Sequence, residues 1–186
     1  MRSVRVRAFG DDGQPITEQK DFVLDGLSSL DADCGNWLEW LPGKSRIGTL
    51  IVEADGPGLL GDVAFGGRKG ETAAALPLQS APAKTLHFAQ VADGMGLYTG
   101  LALYNPGIEP AEVSISVSAR DGTIAGQVTF TLEAGTRLSK LVSELMPSTS
   151  GLIGGGVTVS ANHPIIGQQL FGAANFLSAV PPLEME

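Results

Sequence analysis

Few residues in this chain have the types and spacing for chemistry. Gly56-Pro57-Gly58-Leu59-Leu60-Gly61 carries the G-x-G-x-x-G spacing with which a turn brings backbone amides against a dinucleotide pyrophosphate. That motif has to open a helix, whereas Asp62-Val63-Ala64-Phe65-Gly66-Gly67 reads on as a strand, and no acidic residue stands ~20 positions later for a ribose. A turn is the expectation. Nucleophilic catalysis would need a base beside Cys34 or a G-x-S-x-G elbow; the chain has no such elbow, and its two histidines, His87 and His163, lie far from Cys34 in sequence. One cysteine and two scattered histidines do not form a zinc ligand set. Asp93 in Ala92-Asp93-Gly94-Met95-Gly96 could offer oxygens to calcium, but one local carboxylate falls short of the ~6 oxygens required, and a turn is again expected. No catalytic residue, metal or cofactor is therefore expected.

The best binding candidate is Trp37-Leu38-Glu39-Trp40, because indole faces stack on sugar rings and anchor protein partners. The competing expectation is that Trp37 and Trp40, three apart around Leu38 and Leu41, plug the end of a β-structure. Buried tryptophans favour the plug, and exposed coplanar ones a carbohydrate site.

The elements that would position these residues announce themselves by an internal repeat. Val4, Val6 and Ala8 alternate with Arg5 and Arg7, reach Asp12-Gly13, and return through Phe22 and Leu24. Val113, Ile115, Val117 and Ala119 alternate with Ser114, Ser116 and Ser118, reach Asp121-Gly122, and return through Val128, Phe130 and Leu132. Gly48-Thr49-Leu50-Ile51-Val52-Glu53-Ala54 with Pro57 matches Gly155-Gly156-Val157-Thr158-Val159-Ser160-Ala161 with Pro164. The pattern sets residues 4–78 against 113–182. Gly13 and Gly122 are expected at positive φ in equivalent hairpin turns.

Clean alternation gives each sheet one buried and one wet face, which belongs to antiparallel sheets and excludes a doubly wound parallel one. With turn signals about every eight to twelve residues, the expectation is all-β, two related antiparallel β-sandwich units. The second, residues 83–186, reads as complete, with strands at 88–91, 97–104, 157–161, 165–171 and 176–180 besides its hairpin. Leu138, Leu141, Val142 and Leu145 have the spacing of a short crossover helix. The first, residues 1–82, has Leu27, Leu30 and Trp37 to Leu41 in place of that helix. It lacks any match for residues 88–112, so its opening strands are missing. Either the chain is a fragment or the units share strands, and the fragment reading is preferred. Ala81-Pro82-Ala83-Lys84 is the expected boundary. A sheet without its first strands keeps an open edge, which should be covered by the other unit or by a homodimer.

Composition agrees with a folded chain: of its 186 residues, 43% are hydrophobic and 17% charged. Twelve basic residues against 20 acidic give a net charge of −8, so nucleic acid is not an expected partner. No stretch reaches the ~18 apolar residues of a membrane span, and Met1-Arg2-Ser3-Val4-Arg5 leads into a strand rather than into a signal-peptide apolar region. No membrane insertion is expected. Cys34, being single, forms no internal disulfide.

His87-Phe88-Ala89-Gln90-Val91-Ala92-Asp93-Gly94 followed by Tyr98-Thr99-Gly100-Leu101-Ala102-Leu103-Tyr104-Asn105-Pro106-Gly107 resembles a repeat of large exported bacterial proteins, approximately F-P-Q-[VF]-A-D-G-G-G-[YF]-x-T-x-[LI]-x-L-x-N-P. The resemblance extends over residues 87–182 and partially over 4–78; Ala89 stands where proline is usual and Met95 where glycine is usual. It implies immunoglobulin-like sandwiches, an extracellular or cell-surface location in a bacterium, and a non-catalytic structural or adhesive role beside other domains of the same parent protein. The alternative is a carbohydrate-binding module using Trp37 and Trp40.

Overall fold

The computed structural model describes residues 1–66 and 72–185, and the chain divides into two compact units, Met1–Leu60 and Gly61–Glu186. β-structure predominates, and every strand pairing among the described residues is antiparallel.

The first unit contains β1 (Arg2–Phe9), β2 (Lys20–Leu24), the short helix α1 (Cys34–Trp37) and β3 (Thr49–Ala54). Its sheet has the order β2-β1-β3. The period-two pattern sends Val4, Val6 and Ala8 to a buried face and Arg5 and Arg7 to the wet one. There Arg5 meets Asp21 at 3.2 Å and Arg7 meets Glu53 at 2.9 Å across the strands. Buried Leu38 caps the apolar face, with Phe22, Trp37, Trp40, Leu50 and Val52 packed around it.

The second unit runs β4 (Asp62–Gly66), β5 (Ala73–Pro77), β6 (Ala83–Phe88), β7 (Tyr98–Tyr104), β8 (Ala111–Ala119), β9 (Ile124–Leu132), β10 (Arg137–Leu141), α2 (Val142–Leu145), β11 (Gly155–Ala173), β12 (Phe176–Val180) and β13 (Leu183–Met185). β11 is 19 residues long and serves two sets of partners. Its first part lies between β6 and β8, with β9 outside β8 and β13 outside β6. Its second part pairs with β7 and β12, and β10 lies outside β7. Leu86, Phe88, Leu101, Leu103, Val113, Ile115, Val157 and Ile165 from both sets meet in one core. At Gly167 an added Cβ would run into the Leu86 side chain, so glycine lets the strands approach at the corner.

Several expectations need correcting. Residues 157–161 and 165–171 are one strand, bent by a register shift between Ser160 and Ile165; Pro164, which cannot donate to a ladder, stands in that bend. The corner is thus turned by a strand rather than by a helix. Arg137–Leu141 is strand β10, paired with β7, and only Val142–Leu145 is helical, because pairing to β7 satisfies the backbone that the apolar spacing would have coiled. Ala83 and Lys84 begin β6, which ends at Phe88, while 89–91 lie beyond it. The compact units part at Leu60–Gly61, whereas Ala81–Lys84 is the entry to a strand.

The registers of β2-β1-β3 and of β9-β8-β11 agree pair by pair. Val4 opposes Phe22 and Ala54, as Val113 opposes Phe130 and Ala161. Val6 opposes Val52, as Ile115 opposes Val159. An added Cβ on Gly48 would overlap the Phe9 carbonyl oxygen, and one on Gly155 would overlap that of Ser118. Ser3 donates its amide to Asp55 Oδ2 (3.1 Å), as Glu112 does to Asn162 Oδ1 (2.8 Å). The turns match too: Gly10 N donates to Gln14 O and Gly13 N to Gly10 O, as Ala119 N does to Thr123 O and Gly122 N to Ala119 O. Gly13 has φ 73° and Gly122 φ 83°. Even the β4–β5 hairpin, with Asp62 opposite Pro77 and Gly66 opposite Ala73, has the register of Gln169 opposite Val180 and Ala173 opposite Phe176.

Candidate functional site

Trp37 and Trp40 come together at the covered face of the first sheet. Asp33 caps α1, its carboxylate accepting from Gly35 N at 2.9 Å, and the one-turn helix swings Trp37 onto Phe22 edge to face at 5.5 Å. Trp40 Nε1 donates to the Cys34 carbonyl at 3.1 Å. Both indoles are half-buried in the cluster around Val4, Val6 and Leu38. Cations lie over their faces: Arg46 is 5.4 Å from the Trp40 ring centre and Lys20 Nζ 6.0 Å from that of Trp37. The two tryptophans thus share a cluster without forming a bare coplanar platform. Arg46 comes from the loop six residues after Trp40 and Lys20 from β2, and no local pattern in the sequence marks either as a cover for an indole.

The other singled-out residues lie apart from one another. Cys34 is half-buried in the same cluster. His87 Nδ1 lies 3.0 Å from Thr158 Oγ1 across β6 and β11, and His163 Nε2 lies 3.6 Å from Glu109 Oε2. Asp93 uses its backbone, donating its amide to Leu152 O at 2.8 Å and accepting from Gly151 N. Among the described residues no three His, Cys, Asp or Glu side chains converge as metal ligands do.

The G-x-G-x-x-G stretch is a loop leading into β4, with Gly58 at φ 96°. With the segment from Leu24 to Ser28 it borders an open groove of about 560 Å³, along which Arg2 and Asp25 are the ionisable side chains.

Sequence reasoning left two buried polar side chains without a role. Asn105 donates to Glu109 O (2.8 Å) and Leu132 O (3.0 Å) and accepts from Gly107 N (2.9 Å), pinning the turn after β7. Gln169 Nε2 donates to Gln90 O at 2.6 Å. For Asn105 the N-P turn was the available signal, whereas Gln169 meets the backbone of Phe88-Ala89-Gln90 only through the fold.

No family model matches the chain, and no curated protein matches it. Among solved structures it is similar to protein 1070 of Thermotoga maritima (15% identity, 57% of this chain and 98% of that one, TM-score 0.49). It is also similar to the Anabaena sensory rhodopsin transducer (19% identity, 50% and 99%, TM-score 0.42). A third similarity is to FlgD from P. aeruginosa (14% identity, 56% and 74%, TM-score 0.27). No helix among the described residues is long and apolar enough to cross a membrane.

Proposed function

We propose that this chain is a non-catalytic structural or adhesive module of a larger exported bacterial surface protein, built from two copies of one immunoglobulin-like sandwich repeat. The supporting observation is the pairwise agreement of registers between β2-β1-β3 and β9-β8-β11, down to the same glycine against the same carbonyl. A chain that repeats its architecture while committing Asn105, Gln169 and Asp93 to pinning turns and loops is arranged to hold shape. Its partners are the other domains of its parent, with a homodimer through an open sheet edge as a further association. The experiment is surface labelling: intact cells treated with an impermeant amine reagent should yield labelled protein at Lys44 and Lys140, and protection until lysis would refute the surface assignment.

Trp37 and Trp40 are only half-buried, and this incomplete burial keeps carbohydrate binding as a second reading. Tryptophan fluorescence titrated with polysaccharides separates the two: the structural reading expects an unmoved emission maximum, and a saturable shift abolished by Trp40→Ala would reverse the ranking.

A further inference from the structure

In the second unit the edge of β11 is closed by β6, with Leu86 opposite Val159 and Phe88 opposite Val157. Their counterparts by register, Val52 and Leu50 of β3, have no strand beside them among the described residues: β3 ends the order β2-β1-β3. The difference shows in burial. Val157 and Val159 are 1% and 0% exposed, whereas Leu50 and Val52 are only half-buried although they pack on the same kind of cluster. Asp55 N donates to Ser3 O, so by antiparallel alternation Glu53 and Ile51 bond to β1, and Leu50 and Val52 point their N–H and C=O groups away from it. Those unpaired groups and side chains have the geometry of a strand acceptor. The β4 edge repeats the situation, since its counterpart in β11 is taken by β7.

We infer that β3 is a β-addition site for a donor strand of the β6 type, supplied by a neighbouring unit of the same repeat. The donor lies antiparallel to β3, with apolar side chains two apart opposite Val52 and Leu50, as Leu86 and Phe88 lie in β6. This rests on the repeat reading, and it can be tested without reference to where the protein resides.

The probe is a synthetic peptide with the sequence of residues 82–90, added to the isotope-labelled full chain while amide exchange is followed by NMR. Saturable binding is expected, with exchange at Leu50 and Val52 slowed at least roughly tenfold and exchange at Val157 and Val159 unchanged. The same peptide carrying Leu86→Lys and Phe88→Lys should give no slowing. Val52→Pro should keep the native circular dichroism, because this N–H lies outside the β1 ladder, and should lose peptide binding. The inference is overturned if the peptide leaves Leu50 and Val52 unprotected, if both peptides protect alike, or if the peptide displaces β6, seen as altered exchange at Val157 and Val159, while Leu50 and Val52 stay unchanged. It is equally overturned if the chain alone protects Leu50 and Val52 in proportion to its own concentration, which would make a second copy, edge to edge, the occupant. Failure here with surface labelling intact would remove the donor strand and leave the proposed module standing.

Discussion

At the scale of single residues, the Asn105 and Asp121 side chains hold backbone. Asn105 is buried and answers two carbonyls and one amide, so Asn105→Ala strands three polar groups at once. A loss of about 2–4 kcal/mol in urea unfolding is expected. Met95 lies at φ 54° and is 92% exposed, in a two-residue turn with Gly96 at φ 79°. A side chain there has strain and no packing, so Met95→Asn should stabilise by about 0.5–1 kcal/mol, read from the same unfolding curves. The Asp121 carboxylate accepts from the Thr123 hydroxyl and amide, and these bonds lower its pKa below the usual 3.8. A depressed carboxylate pKa contributes stability that is complete above the ordinary value and drains as pH falls through the folded one. The stability gap between the native chain and Asp121→Ala should therefore be constant near neutrality and narrow below about pH 4. A gap that persisted at lower pH would show that the charge is not what Thr123 recognises.

Among the elements, the close approach at Gly48 and Gly155 gives the sharpest test. Ala normally stabilises a strand interior relative to glycine by about 0.5–1 kcal/mol. Here the added methyl meets a carbonyl oxygen of the neighbouring strand, so Gly48→Ala and Gly155→Ala should each destabilise, by ~2 kcal/mol or more. Gly48 has no positive φ to add strain, which makes it the cleaner of the two, and a neutral Gly48→Ala would show that β1 and β3 can separate there. Alternating strands were legible because period two and a Gly turn are local signals. Leu138 to Leu145 was misread because i, i+3, i+4 spacing also fits a strand running into one helical turn, and only the presence of β7 decides between them.

For the whole molecule, the two compact units differ in what holds them. Among the described residues, the core cluster of the first contains three buried apolar side chains, Val4, Val6 and Leu38, and that of the second contains fifteen. Buried apolar area is the main stabilising term, so the first unit should open more readily. Hydrogen exchange should find the amides of Val4 and Val6 less protected than those of Ile115 and Val159, by roughly tenfold or more. Equal protection would mean that the units unfold as one.

Short-range pattern alone carries the alternating strands and the Asp-Gly turns with glycine at positive φ. Each follows from side-chain size and backbone freedom within a few residues. The tertiary structure alone decided that β11 continues through Pro164 to serve two sets of partners, that Ala83 and Lys84 belong to β6, and that β4 and β5 join the second unit. These outcomes depend on which backbone groups find partners far along the chain. Such pairing is an energy shared between distant segments, and no local periodicity encodes it.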